Sequence, residues 1–250
     1  MSSSRPRKVR ADQLAVEQGL VPDVARAGAL ILAGEVVAGD HVVATAGQLL
    51  AATAVLRLKG ERLRYVSRGA LKLEAALDLA KLDVHGLACA DLGASTGGFT
   101  DLLLQRGAAR VHAVDVGYGL LHEKLRRDAR VVIHDRVNAR DATPALLGER
   151  VALVTLDLSF ISLASVLPSA VGLLEPGGAL VALVKPQFEA PRADVEEGGV
   201  VRDPAVRTAA IERVEAVLRS LGLAVILRAE SPIHGPAGNV ETCVVARRSP

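Results

Sequence analysis

From Leu87 onward, apolar runs of five to seven residues alternate with longer segments in which apolar positions recur every three or four residues. The runs lie at 87 to 92, 111 to 115, 130 to 134, 151 to 157, 179 to 185, 224 to 229 and 240 to 246. Runs of that length suit strands buried on both faces, and the periodic segments between them suit helices packed on those faces. Six or seven strands with intervening helices predict a doubly wound, Rossmann-like α/β sheet. Asp203-Pro204 supplies a helix cap and a first-turn proline, opening a helix to about Leu221. The last two strands are joined by Ser231 to Asn239, which leaves no room for a helix, so they should pair as an antiparallel hairpin. Upstream, Ser67 can cap a helix reaching about Leu82, with Ala70, Leu73, Leu77 and Ala80 on one face and Lys72 on its flank.

A different rhythm occupies the first 60 residues. Residues 11 to 20 and 22 to 33 read as short helices, each ending at a glycine, Gly19 or Gly34. Glu35 to Asp40, with a bend at Gly39-Asp40, then His41 to Ala44 and Leu49 to Leu58, are strand-like. The expected organisation is a small α+β module over 1–60, a linker over 61–66 and the main domain over 67–250.

Half of the 250 residues are hydrophobic, enough for a compact globular protein. Charged, Gly or Pro residues interrupt every apolar run before the roughly 18 to 20 residues needed to cross a bilayer. The basic start, Arg5, Arg7, Lys8 and Arg10, leads into Asp12 and Glu17 and not into an apolar signal segment, so a cytoplasmic protein is expected. Cys89 and Cys243 lie in strand-like runs and read as buried thiols. The six histidines show no ligand-like spacing, and no metal is assigned.

The net charge is only +2, but it is uneven: residues 1 to 66 hold nine Lys/Arg against six Asp/Glu. The densest basic stretch is Arg57, Lys59, Arg62, Arg64, Arg68 and Lys72, opposed within it only by Glu61. It is a candidate phosphate track for RNA, with a solvated linker and helix face as the plain alternative. Tyr65, Phe99, Tyr118, Phe160 and Phe188 are all the aromatic residues, so the core is aliphatic and the rings fall in or beside candidate site segments.

The stretch Asp91 to Thr100 reads as strand end, glycine loop and helix start. Gly93, Gly97 and Gly98 remove side chains where a nucleotide-like ligand needs close backbone approach, and Asp115 ends the next strand, where a carboxylate can hold a ribose. The spacing is G-x-x-x-G-G, which is neither the dinucleotide fingerprint nor a phosphate loop. With no phosphate cradle spelled out, the pattern favours S-adenosylmethionine, held by Gly93, Ala94, Ser95, Thr96, Gly97, Gly98, Phe99, Asp115 and Asp157. A turn that binds nothing is the alternative.

Ligands of doubly wound sheets bind beyond the carboxyl ends of the parallel strands. Gly93, Asp115, Asp157 and Lys185 fall at such ends, and Glu241, starting a reversed strand, falls at the same edge. An Asp157 to Lys185 ion pair could merely close that edge. Methyl transfer to a ribose 2'-hydroxyl offers another use, because lysines and carboxylates there can orient the oxygen and a desolvated lysine can accept its proton. The Asn/Asp-Pro-Pro-aromatic motif of enzymes that methylate exocyclic base nitrogens is absent; Leu-Ser-Phe follows Asp157.

Six segments together resemble the TlyA family, historically called hemolysin A, of ribosomal RNA 2'-O-methyltransferases with an FtsJ-like catalytic domain. They are Val66 to Leu73, Gly93 to Thr100, Asp115 to Gly119, Asp157 to Leu163, Val184 to Glu189 and Gly238 to Glu241. The resemblance covers nearly the whole chain. It implies a Lys-Asp-Lys-Glu catalytic set at Lys72, Asp157, Lys185 and Glu241, S-adenosylmethionine as methyl donor, and cytidine 2'-hydroxyls of ribosomal RNA, in free or subunit form, as substrate. It also implies that the first module is an RNA-binding domain of the kind named after small-subunit ribosomal protein four. Here that module departs from the usual pattern, with Val24-Ala25 in place of Ser-Arg and an acid at Glu35. Two other functional classes are a non-enzymatic ribosome-assembly factor, which would not need the four charged residues, and a membrane-lytic protein, which would need an amphipathic or spanning segment.

Overall fold

The computed structural model describes residues 7–39, 41–59, 64–235 and 237–249. The chain forms two compact units, Met1–Arg64 and Tyr65–Pro250. In the first unit, β1 (Lys8–Arg10), α1 (Ala11–Glu17), α2 (Val24–Leu32), β2 (Val36–Ala38), β3 (His41–Val42), β4 (Leu49–Ala51) and β5 (Leu56–Leu58) follow one another. Leu14, Ala27, Ile31, Val36, Val43 and Leu56 form its core. Asp23 caps α2 by accepting from the Arg26 amide at 2.7 Å.

The strand expected over Leu49 to Leu58 is two strands in different sheets. β4 pairs antiparallel with β1, whereas β5 pairs with β2 in a three-stranded sheet of order β3-β2-β5. The partner β1 is hidden in the sequence because its Lys8 and Arg10 are exposed and only Val9 is buried. Asp40, half of the expected bend, lies outside the described residues.

The second unit begins at Tyr65. Tyr65 and Val66, expected in the linker, are tied into it: the Tyr65 hydroxyl donates to Glu74 Oε1 at 2.7 Å, and the Val66 amide donates to Asp101 Oδ2 at 2.9 Å. The elements are α3 (Ala70–Ala80), β6 (Ala88–Leu92), α4 (Gly98–Gln105), β7 (Arg110–Asp115), α5 (Glu123–Arg126), β8 (Val131–Asp135), α6 (Pro144–Leu147), β9 (Val151–Leu156), α7 (Leu167–Leu173), β10 (Leu174–Val184), α8 (Pro186–Glu189), α9 (Pro204–Ser220), β11 (Leu223–Glu230) and β12 (Thr242–Arg248).

The seven-stranded sheet has the order β11-β12-β10-β9-β6-β7-β8. The five strands from β10 to β8 run parallel, and β12 runs antiparallel between β10 and β11. The alternation within β10 shows why its apolar run is unbroken. Leu180, Ala182 and Val184 face the core shared with Leu167 of α7 and Val214 and Leu218 of α9. Ala179, Val181 and Leu183 face the opposite core, shared with Leu73 and Leu77 of α3 and Leu102 of α4. Both faces are covered, so neither can be polar. Cys89 and Cys243 are buried, free thiols.

Two local expectations are corrected. Ser67 does not cap α3: Gly69 occupies the cap position without a side-chain bond, and Ser67, two residues earlier, accepts at Oγ from the Gly69 amide at 3.2 Å. β10 starts at Leu174 rather than 179, because one pair with Val151 precedes a register shift over Pro176-Gly177-Gly178. Asp203 does cap α9, accepting from the Ala205 amide at 2.8 Å.

Candidate active site

Strand register brings the candidate residues to one level. Leu92 of β6 is paired with Val114 of β7 and with Leu156 of β9. Gly93 and Asp157 therefore leave the sheet at the height of Asp115, the last residue of β7, which is still paired with Asp135 of β8. β10 and β12 end their pairing at Val184 and Thr242, which places Lys185 and Glu241 one step beyond the last pair. The sheet order reverses between β6 and β9, the position at which doubly wound sheets open a ligand crevice.

A cleft of about 170 Å³ opens there, lined by Gly93, Ala94, Ser95, Thr96, Gly98 and Phe99 of the loop and by Asp157 and Lys185. Ser67, Gly69, Asp91 and Ser159 complete its wall, four positions that the sequence reading did not assign to the site. Small-molecule sites are commonly about 300–1,000 Å³, so this cleft encloses one part of an extended ligand. Asp115 stands outside it and organises the loop: Oδ2 accepts from the Ser95 amide at 2.8 Å and Oδ1 from the Gly117 amide at 2.7 Å.

The glycines serve the protein's own packing as much as ligand approach. A Cβ on Gly97 would lie 2.2 Å from Leu125 Cδ1, at a φ of +97°, and Gly97 does not line the cleft. A Cβ on Gly98 would lie 3.0 Å from Ser67 Cβ, so this position lets α4 approach the start of α3.

Asp91, the last acid of β6, is fully buried beneath the loop. Thr100 Oγ1 donates to its Oδ2 at 2.7 Å and Thr155 Oγ1 to its Oδ1 at 3.1 Å. Burial pushes the carboxyl up to about 7; the two hydroxyls oppose that rise and the Asp157 carboxylate adds to it. The sequence signal that marks it is an acid two residues before Gly93 in an otherwise apolar strand.

The four charged residues form two ion pairs. Lys185 Nζ lies 2.7 Å from Asp157 Oδ1, outside hydrogen-bond alignment, and donates to Ser159 Oγ at 3.0 Å. Lys72 Nζ donates to Glu241 Oε2 at 2.5 Å. Lys72, Lys185 and Glu241 are only 7%, 9% and 1% exposed. The Cys243 thiol sits against the Lys72 backbone. Its Sγ is 3.5 Å from the Lys72 carbonyl oxygen, and burial pushes it up to about 12, with Lys72 opposing the rise and Asp157 and Glu241 reinforcing it.

Among the described residues, three buried side-chain acceptors lack a hydrogen bond: Asp157 Oδ1, Gln187 Oε1 and Glu241 Oε1. All three belong to segments at this edge of the sheet. Buried acceptors are normally satisfied, so these three are candidates to receive donors from a ligand or from water. Gln187 was not singled out by its sequence, since nothing in a Pro-Gln-Phe turn marks the amide.

The aromatic residues divide into two sets. Tyr65 and Phe99 are buried at 4%, whereas Tyr118 and Phe160 are 67% and 92% exposed. Phe160 packs against Phe188 with ring centroids 5.3 Å apart, and the Arg136 guanidinium sits 4.4 Å over the Tyr118 ring.

The basic stretch is shared between the units. Arg57, whose guanidinium donates to the Gly39 carbonyl at 3.2 Å, belongs with Lys59 and Arg64 to the first unit, and Arg68 and Lys72 belong to the second. Lys59 and Arg68 are exposed, but Lys72 is buried in its pair with Glu241 and is not part of a solvent-facing track. Arg62 and Glu61 lie outside the described residues.

A doubly wound sheet with a glycine loop at its switch point and a carboxylate ending the next strand is an arrangement common among nucleotide-binding α/β folds. Residues 65–248 match the family model described as FtsJ-like methyltransferase. The 16S/23S rRNA (cytidine-2'-O)-methyltransferase TlyA of Mycobacterium tuberculosis is 46% identical over 94% of this chain and 88% of its own length. Hemolysin A of Brachyspira hyodysenteriae is 36% identical over 93% of this chain and 97% of its own. A solved structure of a Streptococcus thermophilus protein named as a hemolysin superimposes with a TM-score of 0.77 at 42% identity, covering 98% of this chain and 90% of that one. The chain belongs to the TlyA family of FtsJ-like methyltransferases. No helix among the described residues is long and apolar enough to cross a membrane.

Proposed function

We propose that this protein transfers a methyl group from S-adenosylmethionine to the 2'-hydroxyl of a cytidine in ribosomal RNA. The observation that carries the reading is the pair of lysine–carboxylate contacts beside the glycine-loop cleft, Lys185 with Asp157 and Lys72 with Glu241. A site for binding alone has no need of one buried and one half-buried ion pair side by side on the same sheet edge, whose desolvation is costly. The cytidine and the ribosomal substrate rest on the likeness to the mycobacterial enzyme of that name.

The cleft fits the cofactor in its chemistry. Gly93 and Ala94 line the cleft with little or no side chain, and Asp115, which organises the loop from the end of β7, is the carboxylate that would hold a ribose hydroxyl. When bound, S-adenosylmethionine supplies an electrophilic methyl group. Asp157 and Lys185 then orient the ribose hydroxyl, and Lys185 Nζ, acting as the neutral amine, accepts its proton to become the ammonium as the oxygen attacks. Glu241 holds the Lys72 ammonium in place as a fixed charge at the same edge of the sheet. Exposed Lys59 and Arg68, with Arg57, Arg62 and Arg64, contribute phosphate contacts, and the first unit serves as an RNA-docking module.

The test is to incubate the purified protein with ribosomal RNA, ribosomal subunits and labelled S-adenosylmethionine, and to map 2'-O-methyl groups. Label at a ribose 2'-oxygen of cytidine is expected. Label confined to base nitrogens, or absent from RNA and subunits alike, overturns the reading.

A further inference from the structure

Immediately after Lys185 the chain turns into α8, and the last side chain of that short helix reaches back to the loop following β9. Glu189 Oε2 accepts from Ser162 Oγ at 2.7 Å, and Glu189 Oε1 accepts from the Leu163 amide at 2.7 Å. The Glu189 carbonyl accepts from Arg213 Nη2 at 2.8 Å, which fastens the same turn to α9. Burial raises this carboxyl, and the Leu163 and Ser162 hydrogen bonds and the Arg213 charge oppose the rise.

The loop that Glu189 grips carries the chemistry. Asp157 and Ser159 contact Lys185 at 2.7 and 3.0 Å, and Phe160 meets Phe188. Phe160 has a φ of +65°, an unfavourable backbone conformation for a bulky residue. Such a conformation persists only where the surroundings hold it. The Lys185 contacts hold the loop at Asp157 and Ser159, whereas the Glu189 bonds hold it further along, at Ser162 and Leu163.

We propose that Glu189 is a positioning residue, which bridges Ser162 and Leu163 to lock the Asp157–Leu163 loop against the end of β10 and so sets the spacing of Lys185 and Asp157. The inference rests on the methyltransferase reading above for its consequence in catalysis, but its structural content stands independently. A small misplacement of reacting groups can lower a rate by about 100-fold.

The experiment compares wild type with Glu189→Ala, Glu189→Gln and Ser162→Ala by amide hydrogen exchange, cofactor calorimetry and single-turnover methylation of ribosomal RNA. In Glu189→Ala, exchange across residues 158–163 should rise about 10-fold or more, as expected of a segment released to local opening. Single-turnover methylation should fall about 10- to 100-fold while cofactor affinity stays within about threefold. Glu189→Gln keeps an acceptor for the Leu163 amide and should restore most of the rate. Ser162→Ala removes one of the two bonds and should show a smaller change of the same kind if Glu189→Ala folds poorly. Unchanged exchange at 158–163 in Glu189→Ala overturns the proposal, as does a Glu189→Gln variant as impaired as Glu189→Ala. Failure of the wild type to methylate RNA would instead sink the methyltransferase reading, and the exchange measurement would still decide the role of Glu189.

Discussion

A methyl group on Gly93 would stand 2.8 Å from the carbonyl oxygen of Asp157. The cofactor loop and the strand end that carries the central carboxylate are thus in backbone contact, with no space between them for a side chain. Gly93 also has a φ of +86°. Gly93→Ala should lose about 1–2 kcal/mol from the left-handed backbone and about 1–3 kcal/mol more from the clash. Urea unfolding should show a lowered midpoint, and calorimetry should show weakened S-adenosylmethionine binding. An unchanged midpoint would mean that the loop yields easily.

Lys185→Ala removes the proposed proton acceptor. Loss of a general acid or base typically lowers a rate about 100- to 10,000-fold, and single-turnover methylation should fall by that order. Cofactor affinity should change little, because Lys185 is one residue among many along the cleft. Near-normal turnover in this variant would make the Lys185 to Asp157 pair structural.

For Lys72 and Glu241, stability and chemistry can be separated. Lys72→Ala leaves the Glu241 carboxylate, 1% exposed, without its cation. Breaking a buried pair from one side costs about 3–5 kcal/mol, whereas replacing both partners by neutral groups of similar size is often close to neutral. The double variant Lys72→Met, Glu241→Gln should recover much of the lost melting temperature but not the methylation. Recovery of both would remove the pair from the catalytic set.

Asp91 gives the fold a pH dependence of defined sign. Its folded-state carboxyl titrates near about 7, above its ordinary value of 3.8. The native state therefore holds the proton more tightly than the unfolded chain, and the contribution present below pH 3.8 is lost as pH rises through about 7. An Asp91→Asn variant cannot ionise. Its melting temperature relative to wild type should rise from pH 5 to about pH 7 and level off above that in calorimetric scans. A constant difference across that range would contradict the assignment.

Charge reversal at Lys59 and Arg68, both exposed, should weaken RNA binding and flatten its dependence on salt, because fewer counterions are released per complex. Cofactor binding should be nearly unaffected. An unaltered salt slope would remove these residues from the RNA contact.

The apolar runs of this sequence announce a doubly wound sheet, and their ends announce its functional edge. Gly93, Asp115, Asp157 and Lys185 are legible as edge residues because each stands where a buried strand must stop. That inference needs only local periodicity and the rule that parallel strands share a direction. Partner choice is not local. Lys72 lies in an ordinary helical pattern, and nothing within that helix says that it meets Glu241, 169 positions away. Their meeting depends on β12 inserting antiparallel between β10 and β11, beneath α3. The glycines divide in the same way: the loop pattern marks all three, but only packing shows that a side chain at Gly97 would strike Leu125 and one at Gly93 would strike Asp157. Exposed Phe160 and buried Phe99 are likewise the same residue type in the sequence, and burial distinguishes them only after the sheet has assembled. Local sequence determined which segments become the strands of the main sheet and the helices between them, because backbone preference and amphipathic period act over a few residues, whereas ends such as the start of β10 at Leu174 were set by pairing. Long-range order in the sheet decided which charges are paired and which acceptors are left open, because burial and Coulomb energy depend on neighbours that only the closed fold brings together.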